Sequence, residues 1–300
     1  MSELLKEVVV EPGRLQSPSS ILMYKQCPRK YYYRYIARLP VSRSIHLVRG
    51  SIAHKVLEDV YDLDMSNIPE AGFLFTLRVI LQEMFRKEWE KSKDDLAELG
   101  LSSSELAKYY DETRVMINNF FHYTVDRIQQ QQIEGAVSVK DAFMRIKPQR
   151  EVELHSPSHN VRGYADAIQR EQDKIIIIDY KTSKKCEITD EYRLQLGIYS
   201  MIYEEIERVP DEVGVFFLKH GQELRIPVTR EMVEAARFEC NAIHLNTRTK
   251  DIKDYPKKVT PLCKWSTGQC EFYDTCFNKT IQEFDTESKP NTFVRIGRKG

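Results

Sequence analysis

The spacing of apolar positions changes once along the chain. Up to about residue 133 apolar residues recur every three or four positions, whereas beyond residue 140 they alternate or run together. "SPSSILMYKQ" reads as a short helix with a serine cap and an early proline, ending near "CPRK". "GSIAHKVLEDVYDL" reads as a second helix with Ile52, Val56 and Val60 on one face. Residues 69–133 stay helical, through "AGFLFTLRVILQEMFRKEWEKS", a polar break, and "SSSELAKYYDETRVMINNFFHYTVDRIQQQQI". "REVELHS", "VRGYADAIQ" and "KIIIIDYK" then read as strands, the last two a hairpin over the loop "REQD". A helix in "ITDEYRLQLGIYSMIYEEIER", a strand pair in "EVGVFFLKH" and "ELRIPV", and a helix in "TREMVEAARFECNAIHLNTR" follow. "PLCKWSTGQCEFYDTC" and the polar tail carry little regular pattern.

These elements predict an α/β fold: a central mixed β-sheet flanked by helices, with a helical insertion. The expected divisions are a flexible arm (1–16), N-terminal helices (17–62), a helical insertion (63–135), a core (136–250), a cysteine-rich segment (251–280) and a polar tail (281–300).

Composition narrows the class. The chain of 300 residues is 41% hydrophobic and 30% charged, as in a soluble globular protein. Its apolar runs fall far short of the ~18–20 residues that cross a bilayer. "MSELLKEVVVEPGR" carries acids and lacks a long apolar stretch, so no secretory signal is read there, and an intracellular, cytoplasmic protein is expected (host cytoplasm if viral). Forty-five basic and 45 acidic residues balance, so any affinity for nucleic acid must be local. One local excess exists: residues 23–55 hold eight Lys or Arg and no acid, interleaved with Tyr24, Tyr31, Tyr32, Tyr33 and Tyr35. Basic side chains hold phosphates, and tyrosines stack on unpaired bases for ~1–3 kcal/mol each. Arg29, Lys30, Arg34, Tyr31 and Tyr33 are therefore candidate DNA contacts, while part of the tyrosine run is expected in the core.

The strand "KIIIIDYK" delivers an Asp and a Lys from a deeply apolar run. Pairing residue 169 with 174 across the expected loop would make Asp166 the diagonal neighbour of Asp179, ~7–8 Å away on the same face. Two such carboxylates can share a divalent cation, and Lys181 projects from the same face. Hard oxygen donors suit Mg²⁺ or Mn²⁺, and a nearby ammonium can orient water or stabilise charge on a phosphate. Gln195 and Tyr199 stand four apart on the next helix, as do His54 and Glu58 earlier. Glu58 and Glu153 are secondary acids, read as salt-bridged structural residues. Cys263, Cys270 and Cys276 cluster within fourteen residues, and Cys27 is the candidate fourth ligand. Four thiols suit tetrahedral zinc or an iron–sulfur cluster. Cys186 and Cys240 read as ordinary free thiols.

Taken jointly, "GSIAH" with His54, "GYAD" with Asp166, "IDYK" with Asp179 and Lys181, and "QLGIY" with Gln195 and Tyr199 resemble the PD-(D/E)XK nuclease superfamily, in its RecB-like exonuclease branch, over residues 17–276. The resemblance implies a restriction-endonuclease-like core and a metal-dependent DNA exonuclease acting on DNA ends or single strands. By resemblance His54, Asp166, Asp179 and the main-chain carbonyl of Tyr180 hold the metal, Lys181 assists the water, and Gln195 and Tyr199 contact DNA or buttress the site. AddB and the CRISPR-adaptation nucleases are similar in carrying one cysteine before the core and three after it. This implies a 4Fe–4S cluster on Cys27, Cys263, Cys270 and Cys276 that joins the two chain ends, with zinc as the alternative. The first gap departs from that pattern, with six residues between Cys263 and Cys270 where relatives usually have two. With no P-loop for a motor, the expected setting is a stand-alone nuclease, or a subunit beside a helicase, recombination or CRISPR-adaptation partner, or a viral replication enzyme. No membrane partner is expected. A DNA-binding scaffold with a retained nuclease fold is the competing class, and intact Asp166, Asp179 and Lys181 speak against it.

Overall fold

The computed structural model describes residues 13–277 apart from 42, 66, 67 and 267. Most of the expected N-terminal arm (1–12) and the whole tail (281–300) thus lie outside the described residues. The arm's last residue, Gln16, is buried and bridges to Val161. Helix α1 (Pro18–Gln26) opens with a capping box on Ser17. It breaks at Cys27, whose backbone is extended (φ −161°), because a residue before proline avoids the helical region. Helix α2 (Pro28–Tyr31) runs into a π-helical turn, Tyr32–Ile36. Helix α3 (Ile45–Asp59) follows, capped by Ser44.

The expected helical stretch forms α4 (Phe73–Lys91), the short α5 (Lys93–Ala97) and α6 (Ser103–Ile133), the last opened by a Ser102–Glu105 capping box. One element is unforeseen: α7 (Val139–Arg145) starts on a Ser138 cap and buries Ala142 and Phe143. Its seven residues are too few to show a helical period.

Strands β1 (Gln149–Ser156), β2 (Val161–Glu171), β3 (Lys174–Lys181), β4 (Glu212–Phe217) and β5 (Gln222–Pro227) form one sheet in sequence order. All neighbours are antiparallel except β3 and β4, which are parallel and joined through helix α8 (Asp190–Ile206). Helix α9 (Arg230–Asn246) packs beside α8. The fold is thus the expected mixed α/β arrangement, with a five-stranded sheet flanked by helices.

The isoleucine run explains itself by its position. Ile176 and Ile178 join a core cluster with residues of α3, α4, α6 and α7, while Ile175 and Ile177 join another with residues of α1, α8 and α9. A central strand covered on both faces needs apolar residues at every position. Every buried isoleucine is worth about 1.5–3 kcal/mol relative to leaving it exposed.

The hairpin register differs from the expected one. Glu171 pairs with Lys174 across a two-residue turn, and Gln169 pairs with Ile176. Gln172 takes a left-handed backbone (φ 55°), which closes the turn two residues tighter than "REQD" would. A shift of two keeps every side chain on its expected face, but brings position 166 directly opposite 179 rather than diagonal to it. The cysteine-rich segment is also more regular than expected. Strands β6 (Lys264–Trp265) and β7 (Gly268–Gln269) make a small hairpin, followed by the short helix α10 (Tyr273–Phe277). Among the described residues no helix is long and apolar enough to cross a membrane.

Candidate active site and cysteine pocket

Asp166 is the hub. Its Oδ2 accepts the backbone N–H of Tyr180 (2.7 Å), and its Oδ1 lies 3.3 Å from His54 Nδ1. The Tyr180 ring is buried among Phe120, Phe216 and neighbours, so the peptide that donates to Asp166 is anchored by the core. From β3, Asp179 meets the Lys181 ammonium at 2.5 Å through Oδ2 and accepts from Gln195 Nε2 at 2.9 Å through Oδ1. Gln195 Nε2 also donates to the Tyr199 hydroxyl (2.9 Å), one helical turn along α8. Asp179 Oδ2 is fully buried; the Lys181 contact is an ion pair outside hydrogen-bond geometry, and no hydrogen bond satisfies this oxygen.

The charges are set by opposing effects. Burial favours the neutral form of Asp166, yet His54 and the Tyr180 N–H outweigh it and hold the carboxyl below its ordinary range. Burial raises Asp179 above that range in spite of Lys181, with Asp166 adding to the rise. Burial disfavours the charge on His54, but Asp166 beside it lifts the imidazole to about 9. Burial likewise opposes the Lys181 charge, and Asp179 more than restores it. Two environments thus push neighbouring carboxyls in opposite directions, a pattern that marks functional sites.

A residue absent from the sequence reading joins this group. Glu151, on β1, brings a carboxylate oxygen within 4.8 Å of ligand atoms of His54 and Asp166. Among the described residues these three form the only such group of His, Cys, Asp or Glu. One imidazole nitrogen with carboxylate oxygens fits Mg²⁺ or Mn²⁺. His54, Glu58, Glu151 and Asp166 line a groove of about 980 Å³, whose other walls carry Arg43, His46, Lys55 and Lys91. Glu153 points elsewhere and pairs with Arg162 (3.3 Å).

The basic, tyrosine-rich stretch behaves differently from its expected role. Tyr31 and Tyr33 are buried, so neither ring can stack on a base; Tyr31 stacks on Tyr255 instead, with ring centroids 6.2 Å apart. Arg29 is buried too, and donates to the carbonyls of Tyr255 (2.7 Å) and Ile252 (3.2 Å). These three residues are corrected from DNA contacts to ties between the chain's ends. Tyr199 is likewise buried, and its hydroxyl accepts from Gln195. Lys30 pairs with Glu271 (3.1 Å), whereas Arg34 is exposed.

Cys27, Cys263, Cys270 and Cys276 line one cavity of about 40 Å³, with Arg29, Tyr33 and Phe272 around them. The six-residue gap is spanned by the β6–β7 hairpin, at whose base the Cys270 N–H donates to the Cys263 carbonyl at 2.9 Å. The hairpin therefore returns Cys270 beside Cys263 in spite of the longer gap. Burial raises the Cys270 and Cys276 thiols above their ordinary range. Cys240 lies apart in the core of α9, and Cys186 contacts Gln222.

The model of the PD-(D/E)XK nuclease superfamily matches residues 16–277, and the chain belongs to that superfamily. Among solved structures it is similar to the crystal structure of a protein called "Putative exonuclease" from Eubacterium rectale. The identity is 13% and the TM-score 0.46, over 95% of this chain and 96% of that one. No curated protein matches the chain.

Proposed function

We propose that the protein is a Mg²⁺- or Mn²⁺-dependent deoxyribonuclease of the RecB-like branch, an exonuclease that hydrolyses phosphodiesters at DNA ends or in single strands. The reading rests chiefly on two neighbouring sets of contacts, His54 and the Tyr180 N–H on Asp166 and Lys181 and Gln195 on Asp179, on two strands whose register sets the two acids opposite each other. His54, Asp166 and Asp179 hold the cation, with the Tyr180 carbonyl as a further donor. A bound cation supplies Lewis acidity toward a phosphate oxygen and lowers the pKa of water. Lys181 orients the attacking water and offsets charge developing on phosphorus. Gln195, fixed by Tyr199, holds Asp179 in its rotamer. Residues 63–135 act as the insertion that walls the groove over the core of residues 136–250, and Arg34 and Lys30 contribute phosphate contacts.

The four cysteines hold a 4Fe–4S cluster. The four thiols line one cavity, and one cysteine before the core with three after it is the spacing of the cluster-bearing relatives that the chain resembles, which supports the cluster over zinc. Linking Cys27 to the other three closes a loop of more than two hundred residues, so the cluster acts as a structural staple. A cytoplasmic role in repair, recombination, replication or CRISPR adaptation fits this chemistry.

Wild-type and Asp179→Ala proteins, assayed on end-labelled DNA with Mg²⁺ or Mn²⁺, test the catalytic reading. Loss of cation-dependent degradation in the variant is expected; equal degradation by both proteins sinks it. Iron and acid-labile sulfide in brown protein purified without oxygen test the cluster, and colourless protein containing zinc overturns it.

A further inference from the structure

We infer that Glu151 is a ligand for the active-site cation and that the sheet is distorted at this point to supply it. The inference rests on the metal-dependent reading above. Two independent observations carry it.

The first is position. The β1–β2 register runs Arg150↔Ala167 and Val152↔Ala165, so Glu151 falls opposite Asp166, the carboxylate that already faces His54. Oxygens of both acids and a nitrogen of His54 lie within 4.8 Å of one another. That places two carboxylates and one imidazole within reach of a single hard cation. Glu153, two residues along the same strand, pairs with Arg162 and lies outside this group.

The second is backbone conformation. Glu151 has φ +47°, a left-handed value that residues with a side chain rarely adopt. Three other non-glycine residues share positive φ among the described residues. Asn160 and Gln172 sit in hairpin turns and Arg38 follows the π-helical turn, so Glu151 is the one inside a strand. The distortion re-aims side chains. Ala165 packs with the α8-side core and Ala167 with the α3-side core, although two residues apart they should share a face. On β1, Val152 packs on the α8 side while the Arg150 guanidinium lies over Tyr61 of the other core. Both strands therefore switch faces at the Glu151/Asp166 position. An ordinary strand would send residue 151 to one face or the other, whereas the switch turns it toward the groove that His54 and Asp166 line. Strain kept inside a strand beside an active site is held because the site uses it.

Mn²⁺ binding by calorimetry tests this on the full chain as wild type, Glu151→Gln, Glu151→Gly, Glu153→Gln and Asp166→Asn, with circular dichroism and thermal unfolding as controls of folding. Glu151→Gln is expected to weaken Mn²⁺ binding at least tenfold at unchanged unfolding temperature, while Glu153→Gln binds as wild type. Glu151→Gly, relieved of its strained backbone, is expected to weaken binding equally and to unfold no earlier than wild type without metal. If wild type binds Mn²⁺ and Asp166→Asn does not, but Glu151→Gln binds as wild type, Glu151 is no ligand and the metal reading survives. Should wild type bind no cation, the metal-dependent reading itself falls, and this inference with it.

Discussion

Gly163 in "VRGYAD" is a small change away from disturbing the active site at a distance. A Cβ placed on it would lie 2.8 Å from Cε1 of Tyr199 and 3.4 Å from Pro18. The buried Tyr199 ring would have to retreat by roughly 0.7 Å to reach ordinary carbon–carbon contact. Its hydroxyl accepts from Gln195 at 2.9 Å, and the same Gln195 nitrogen holds Asp179. A retreat of that size stretches the Tyr199 bond to a length at which hydrogen bonds fail. Overpacking a filled site costs about 1–3 kcal/mol, and replacing a strand glycine returns about 0.5–1 kcal/mol of backbone entropy. Gly163→Ala should therefore lose up to about 2.5 kcal/mol in urea unfolding, and nuclease turnover should fall about tenfold through misplacement of Asp179. The same substitution in a Tyr199→Ala background should cost almost nothing further in stability, giving a coupling of about 1 kcal/mol or more. Equal costs in the two backgrounds would refute the steric route from Gly163 to Asp179.

Lys181→Met leaves Asp179 buried without its cation and should destabilise the metal-free protein by about 2–3 kcal/mol in urea, less than for a fully buried pair because the lysine is partly exposed. Turnover should be lost with it, and unchanged stability would show that the pair is not coupled in the folded state. Arg29→Ala, which strands the Tyr255 carbonyl while the Ile252 carbonyl keeps the Tyr255 N–H, should cost about 1–2 kcal/mol without altering the salt dependence of DNA binding. Arg34→Ala should do the reverse, weakening DNA binding and flattening its salt slope while leaving the unfolding midpoint in place. Replacing residues 264–269 by an Asn-Gly turn should leave the iron content unchanged, since Cys263 and Cys270 already meet at the base of a hairpin; loss of iron would show that the hairpin itself shapes the pocket.

The parts of the site that a reader of the sequence can see are those written in local pattern. The isoleucine run, the helical spacing of Gln195 and Tyr199, and the His54 helix lie within single elements, and each forms as the expected type, although the His54 helix starts five residues earlier, at Ile45, and gives way to a 3-10 turn after Asp59. What stays hidden depends on contacts between distant segments or on backbone turns with no residue signal. The β2–β3 turn is Gln172-Asp173, without the glycine or asparagine that announces a tight hairpin, so its register is legible only to within two residues. Tyr31 looks like a stacking platform until its partner Tyr255, 224 positions away in the chain, covers it. Glu151 and Glu153 are equivalent in an alternating strand, and only the left-handed backbone at the first separates their roles. A charged residue at every second position of a strand that is otherwise half-buried would be the weak signal that either acid matters.

The position of the site follows from where the sheet's hydrogen bonding gives out. Between β1 and β2 the ladder skips the Glu151/Asp166 pair, and between β2 and β3 it ends at Ala167↔Ile178, one step short of Asp166 and Asp179. β3 itself continues, paired with β4 as far as Lys181↔Phe217. The N–H of Tyr180 then faces an absent neighbour and must find another acceptor, since an orphaned buried donor costs about 1–3 kcal/mol. Asp166 supplies it. A serine or asparagine could satisfy that N–H as well, but neither would bring a full charge to His54, nor balance the Lys181 ammonium across the site. The carboxylate thus does two jobs at one atom pair: Oδ2 closes the gap in the sheet, and Oδ1 is left facing His54 and the groove. Asp166→Asn should accordingly preserve the fold better than Asp166→Ala, by about 1–2 kcal/mol, while both abolish cation binding. If the two variants unfold at the same urea concentration, the Tyr180 contact carries no structural weight and the opening of the sheet needs another cause.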